Sequence, residues 1–391
     1  MTRTARLLTT GLVALSLAAC GGSTAPSTAP SAAPASAKPA ATAPAASTAA
    51  KPAASAASAK PAASASAKPA ASGSAAAKPG ASGAVDNTPV ALGNNSTPDQ
   101  AYLPILMALD TLKSQGYNVK DNVDFKSTQL GFQALQNNQI QLSSSGVTDP
   151  AAAVDKGLKI KVIDARANNA WSIVAKNSIA TCDQLNGQKM GLFSTTGVST
   201  AYVKIYLQTT CPKAQPNNVI IPDSVLRRQA LEAGQIDASP LEGGDVIRIM
   251  QDKPGQFHVL ADIAQTLPGI GRDVVVTNDA MLADHPTVVQ AFVKAHLEAI
   301  RSIYKDPSTL TALDAKYLKL GDAASDIAKQ YVSIKVWCAN GGLAGNDVQK
   351  ELDTFGEYKL IPTGLKAAQL TDTKALDAVL AQIGKSDATA C

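Results

Sequence analysis

The sequence predicts a two-lobed α/β fold joined by crossover hinges and preceded by an exported leader and a disordered linker. Three observations carry this. Short apolar strands alternate with helical patterns from Pro89 onward, a short motif recurs at matched points of that alternation, and the segment holding the large apolar residues is too long for one core.

The elements follow in chain order. Arg3 and Arg6 precede an apolar run from Leu7 to Ala19, too short to cross a bilayer as a mature helix. A charged start, an apolar stretch and small residues before Cys20 make residues 1–19 a signal peptide. Leu17-Ala18-Ala19-Cys20 resembles the bacterial lipobox, in which the Cys is lipidated and becomes the first mature residue. The expectation is therefore an exported lipoprotein, anchored to a membrane through Cys20 and facing the periplasm or the cell exterior.

Residues 20–85 are almost entirely Ala, Pro, Ser, Thr, Gly and Lys, with Lys-Pro pairs at irregular spacing. Such a segment has no large side chains whose burial could offset its ordering entropy. It reads as a disordered stalk with an r.m.s. span of roughly 45 Å. The stalk and leader also carry seven of the 35 basic residues and none of the 31 acidic ones, so 28 basic face 31 acidic residues beyond them. That balance is no nucleic-acid footprint.

Pro89 to Gly93 reads as a strand, followed by Thr97-Pro98-Asp99-Gln100 as a capping box with Thr97 as N-cap. Tyr102, Leu103, Leu106, Met107, Leu109 and Leu112 then recur at helical spacing, and Gly116 ends the helix. Val123 to Phe125, Ile140 to Leu142 and Lys159 to Ala165 read as strands, with a helix over Gly131 to Asn138. Strands alternating with helices mean βαβ units on a parallel sheet. Gln133-Ala134-Leu135, three residues, then Gln139-Ile140 is echoed by Gln229-Ala230-Leu231, three residues, then Gln235-Ile236. The matched context indicates a duplicated βαβαβ lobe. Arg227 and Arg228, on the helix of the second copy, are expected to face solvent.

Three segments resemble a known family. Asp183 to Gly191 looks like its D-L-x-G-K-x-I-G segment, Ala230 to Ala238 like its A-L-x-x-G-x-I-D-A segment, and Asp284-His285-Pro286 with the helix from Thr287 to Tyr304 like its return helix. The family is the type II periplasmic solute-binding proteins of the nitrate/sulfonate/taurine and pyrimidine-precursor (NMT1/THI5-like) group, and the resemblance spans about Val90 to Ile383. It implies a periplasmic-binding-protein-like type II fold. Lobe I takes residues 86–180 and 272–391 and lobe II residues 181–271. The crossovers Ser172–Lys176 and Asp273–Thr277 serve as hinge.

Four cysteines remain beyond Cys20, and an even number in an exported domain implies disulfides. Pairing within each lobe gives Cys182–Cys211 and Cys338–Cys391. Spacing excludes a zinc site: there is no Cys-x-x-Cys, and His258, His285 and His296 form no ligand cluster.

Ligands in open α/β sheets bind beyond the carboxyl ends of the strands. In lobe I that rule selects Asn95, Ser96, Thr97 and Tyr102, then Ser144, Ser145 and Gly146, then Asn168, Asn169 and Trp171. In lobe II it selects Ser194, Thr195, Thr196, Gly197 and Ser199, then Glu242 and Gly243, with Arg272 at the return crossover as an anion clamp. The clusters Ser143 to Gly146 and Ser194 to Gly197 offer hydroxyls and backbone N–H groups at strand-to-helix turns, where anions are favoured. Tyr102 and Trp171 could stack on a ligand.

The expected function is capture of a small polar or anionic organic molecule, sulfonate- or carboxylate-like, by a monomeric lipoprotein that delivers it to an ABC permease, with no cofactor and no catalysis. Glu242 alone among these residues argues for a ligand with a donor group. Two alternatives stand beside this: a ligand sensor docking on a signalling receptor, and an enzyme like the pyrimidine synthases of the same fold. The latter use a His and a Cys-rich segment, and this sequence has no Cys cluster.

Overall fold

The computed structural model describes residues 85–125, 127–388 and 391. The signal peptide, Cys20 and the linker lie outside the described residues.

Two five-stranded sheets organise the chain. The first has strand order β2-β1-β3-β10-β4, formed by β1 (Leu92–Asn94), β2 (Val123–Asp124), β3 (Leu142–Gly146), β4 (Ile160–Ala167) and β10 (Asp273–Asn278). The second has order β7-β6-β8-β5-β9, formed by β5 (Trp171–Lys176), β6 (Lys189–Leu192), β7 (Asn217–Ile220), β8 (Ala238–Glu242) and β9 (Phe257–Asp262). The orders correspond strand for strand. In each sheet four strands run parallel, and one strand from the other half of the alternation inserts antiparallel between the third and the fourth. The sheets thus exchange β5 and β10, and these are the segments by which the chain crosses over. Sheet membership differs from the sequence-based division at one point: β5, counted there with lobe I, pairs with β8 and β9.

Helices cover the sheets: α1 (Leu103–Ser114), α2 (Thr128–Gln136), α3 (Thr148–Asp155), α4 (Val198–Thr210), α5 (Ser224–Glu232), α6 (Gly243–Asp252), α7 (Ile263–Thr266), α8 (Asp279–Asp284) and the long return helix α9 (Pro286–Lys305). The C-terminal part adds α10 (Ser308–Tyr317), α11 (Ala323–Ser333), α12 (Gly345–Glu357), α13 (Ala367–Leu370) and α14 (Lys374–Ile383). In α9 the buried Val288, Val289, Phe292, Val293, Leu297 and Ile300 recur at helical spacing and pack on α1.

The echoed segments share one structure. After α2 and α5 the chain turns through a left-handed residue, Asn138 or Gly234, and Gln139 N and Gln235 N each donate back to the helix at 2.9 Å. Ile140 and Ile236 then fill the space over Gly93 and Gly191, where any added Cβ would collide with them. Ser143 Oγ donates to Gly93 O and Ser239 Oγ to Gly191 O, at 3.4 and 3.1 Å. Each of these bonds ties the third strand of its lobe to the first.

Several element bounds move from those expected. The third strand begins at Leu142 and runs through the Ser143 to Gly146 cluster, whose backbone is therefore paired with β10 instead of lying free at a turn. Thr97 is no N-cap. Asp99 caps a 3-10 turn over Gln100–Tyr102, and α1 starts at Leu103 with Pro104 in its first turn. The disulfides Cys182–Cys211 and Cys338–Cys391 are both present.

Candidate functional site

Between the sheets lies a cavity lined from both. Its position follows from the topology. The parallel strands β1, β3 and β4 end at it, placing Asn95, Ser144, Ser145, Gly146 and Arg166 there. The exchanged strands start at the same rim and contribute Trp171 and Asp273. The second sheet supplies Phe193 after β6 and Glu242 at the end of β8, with Val198 and Ser199 from the first turn of α4.

The lining is acidic. It holds six carboxyl groups, Asp99, Asp149, Asp223, Glu242, Asp245 and Asp273, against two guanidinium groups, Arg166 and Arg227. Arg166 is buried between two of the acids, 2.5 Å from Asp273 and 3.5 Å from Asp99, with its guanidinium 4.2 Å from the centroid of the Tyr102 ring. Burial pushes the Asp99 carboxyl up to about 6 although Arg166 opposes this. Burial likewise raises Asp273 against the pull of Arg166.

Arg227 is fully buried and spends two of its donors on carbonyls, Nε to Pro240 O and Nη1 to Ile221 O, each at 3.1 Å. Its Nη2 has no partner, and burial lowers its pKa to about 10. Behind it Arg228 holds Asp245 through Nε at 3.1 Å. Asp223 caps α5 by accepting from Val225 N at 2.8 Å and also accepts from Thr97 N at 2.9 Å. Asp149 has only a 3.5 Å hydrogen bond from Thr128 Oγ1, and burial pushes its carboxyl to about 7. Neither Asp149 nor Glu242 is paired with a cationic side chain among the described residues.

Comparison with known proteins places this architecture. Residues 113–310 match the NMT1/THI5-like family. The chain belongs to that family. No curated protein sequence matches it. Among solved structures, the ligand-binding component of an ABC-type import system from Staphylococcus aureus, with zinc bound, is similar at a TM-score of 0.62 and 16% identity, covering 75% of this chain and 99% of that one. The nitrate-binding protein NrtA from Synechocystis gives 0.64 at 10% identity, covering 78% and 93%. The alkanesulfonate-binding protein SsuA from Xanthomonas axonopodis pv. citri, bound to MOPS, gives 0.58 at 16% identity, covering 74% and 100%. At these identities the likeness is one of fold, the two-lobed type II binding-protein architecture.

Within this NMT1/THI5-like fold the expected site residues divide. Asn95, Ser96, Thr97, Tyr102, Ser144, Ser145, Gly146, Trp171, Ser199 and Glu242 come together at the cavity, while Asn169, Ser194, Thr195, Thr196, Gly197, Gly243 and Arg272 do not line it. Each exception has a structural cause. Ser194 Oγ accepts from the backbone N of Thr196 and of Gly197, so the hydroxyl run serves its own turn. Asn169 Oδ1 accepts from Trp171 N, and Asn168 N donates to Val336 O. Gly243 opens α6 beneath the Tyr331 ring. Arg272 is no anion clamp: it is buried, with Nε 2.8 Å from Glu351 Oε2.

Sequence reasoning missed Asp99, Thr128, Asp149, Arg166, Asp223, Arg227, Asp245 and Asp273. Arg227 and Arg228 do not face solvent but are buried. One available signal was the echo itself. Continued at the same spacing it pairs Asp149 with Asp245, each in the first turn of the helix that follows the third strand of its lobe.

Proposed function

We propose that the chain is an extracytoplasmic solute-binding protein of an ABC import system, which closes its two lobes on a small molecule and presents it to a membrane permease. The observation that carries this reading is the cavity between the lobes, lined from both by strand-end residues. A ligand held there bridges the two sheets, and hinge closure around a ligand is the motion this architecture supports. Export through the leader and anchoring through Cys20 complete the proposal, with the linker giving the tethered domain its reach.

A binder fits the site better than an enzyme. Among the described residues no histidine lines the cavity: His258 bonds Asn177, His285 pairs with Asp86, and His296 is buried against Asp164 in the core of the first sheet. The test is a thermal-shift screen of the full chain against amines, amidines, carboxylates, sulfonates, nitrate and pyrimidines. A compound at a hundredfold over its Kd adds roughly 2.7 kcal/mol, a rise of a few degrees in Tm. Stabilisation by one chemical class, lost in Ser144→Val, supports the reading. No stabilisation by any class overturns it.

A further inference from the structure

We infer that the cleft takes a small organic cation, a ligand presenting a protonated amine or amidine to Asp149 of the first lobe and Glu242 of the second. This rests on the solute-binding reading and names its substrate class. It departs from the anion that the hydroxyl-rich loops suggest.

The cavity's charges decide the sign. Arg166 is already matched by Asp99 and Asp273, so it has no net charge to offer an anion. Asp245 is held by Arg228, and Asp223 by two backbone N–H groups. The other cavity cation, Arg227, gives two of its three nitrogens to carbonyls and leaves Nη2 unpartnered, and its charge is offset by the nearby carboxylates Asp223 and Asp245. What remains is a pair of carboxyl groups, Asp149 and Glu242, one from each lobe and neither with a cationic partner among the described residues. Both are half-buried, and a carboxylate drawn out of water without a counter-charge is costly, a cost that a bound cation removes. An anion would meet these two carboxyl groups instead.

A second, independent feature points to a ligand. Ser144 lies midway along β3 in the cavity wall with 1% of its surface exposed, and its Oγ has no hydrogen-bond partner. Buried hydroxyls are ordinarily paired, so this one is a contact held open for a polar group of the ligand. The wall also presents three aromatic rings, Tyr102, Trp171 and Phe193, and the first two already lie beside guanidinium groups at 4.2 and 5.6 Å. Ring faces of this kind attract cations and give an anion nothing.

The test is isothermal titration of the full chain with sets of size-matched probes: benzamidine against benzamide and benzoate, and linear amines against their amides and carboxylates. In at least one set the cation should bind tenfold or more tightly than its neutral isostere, with no heat from the anion. Glu242→Gln and Asp149→Asn keep side-chain shape, and each should weaken that cation tenfold or more while leaving the neutral isostere unchanged. Circular dichroism melts of both variants confirm folding. A carboxylate or amide that outbinds its cation overturns the charge assignment and leaves the solute-binding reading standing. Cation binding untouched by both substitutions overturns the assignment to these two carboxyl groups. If no member of any set binds, both readings fall.

Discussion

Thr97 N donates to Asp223 Oδ2 at 2.9 Å, linking the loop after β1 in the first lobe to the N-cap of α5 in the second. The other oxygen of the same carboxylate accepts from Val225 N, so one side chain both starts a helix and straps the lobes together. Asp223 does this at φ 93°, a left-handed conformation that costs a residue with a Cβ.

Removing that side chain separates the strap from the strain. Asp223→Ala loses both hydrogen bonds and keeps the strained backbone, so it should cost about 1–2 kcal/mol in urea denaturation. Asp223→Gly loses the same bonds but relieves the backbone, and its cost should be smaller. Both should weaken ligand binding equally, since neither can hold Thr97. Equal stabilities for the two variants would show that the strain is not stored in the native state.

Gly146 sets how closely the lobes approach. A Cβ there would lie 2.5 Å from Val198 Cβ, across the cleft at the start of α4, and a β-branched side chain in a helix has no other rotamer to retreat into. Gly146→Ala should therefore fold but stand open, with a larger radius of gyration in solution scattering and ligand affinity reduced tenfold or more. Val198→Gly in the same chain removes the opposing Cβ and should restore closure. An unchanged affinity in the single variant would mean that binding does not require this approach.

What the sequence disclosed and what it hid have different physical sources. Strand ends and helix starts are written locally, in apolar runs, caps and glycines. Asn95, Tyr102, Ser144, Trp171 and Glu242 were found because they sit where those local signals change. Charge pairing is not local. Arg227 and Arg228 lie in a polar helix that reads as solvated, and only the packing of α5 against β8 buries them. Arg166 finds its partner Asp273 across the chain crossover. Ser194 misled in the opposite direction, because a hydroxyl run that caps its own turn looks the same in sequence as one that greets a ligand.

Arg272 makes the distinction measurable. It pairs with Glu351 on α12, and Glu351 Oε1 also accepts from Arg272 N at 2.9 Å and from Gly271 N. The pair pins the second crossover to the C-terminal helices. Arg272→Met should leave an uncompensated buried carboxylate and cost about 3–5 kcal/mol. Arg272→Met with Glu351→Met should recover much of that loss, and at temperatures where both remain folded the ligand affinity should match the parent chain. A specific loss of affinity in the stable double variant would return Arg272 to the binding site.

The pH response reads the cavity acids directly. Asp149 is raised from 3.8 to about 7 and Asp99 from 3.8 to about 6, in both cases chiefly by burial. Between the unfolded and folded values the native chain holds protons that the unfolded chain has released. Stability should therefore fall as pH rises from about 4 to about 7 and level off above, by at most about 1.4 kcal/mol per carboxyl for each pH unit crossed. Asp149→Asn should flatten the upper part of that slope. The groups facing Asp149 are Thr128 on α2 and Asp273 on β10, and Lys156, at the far end of the same helix, lines the groove that Asp149 also reaches. Of these the Thr128 hydrogen bond pulls the carboxyl down, and no cation is paired with it among the described residues. A cationic ligand binds the ionised carboxyl, so its affinity should climb by up to about tenfold per pH unit below pH 7 and then flatten, with proton release on binding. An anion bound there would show the opposite slope and proton uptake. Titration in two buffers of different ionisation enthalpy, at about pH 5, 6, 7 and 8, measures both quantities at once. A flat profile would place the ligand's charge away from Asp149.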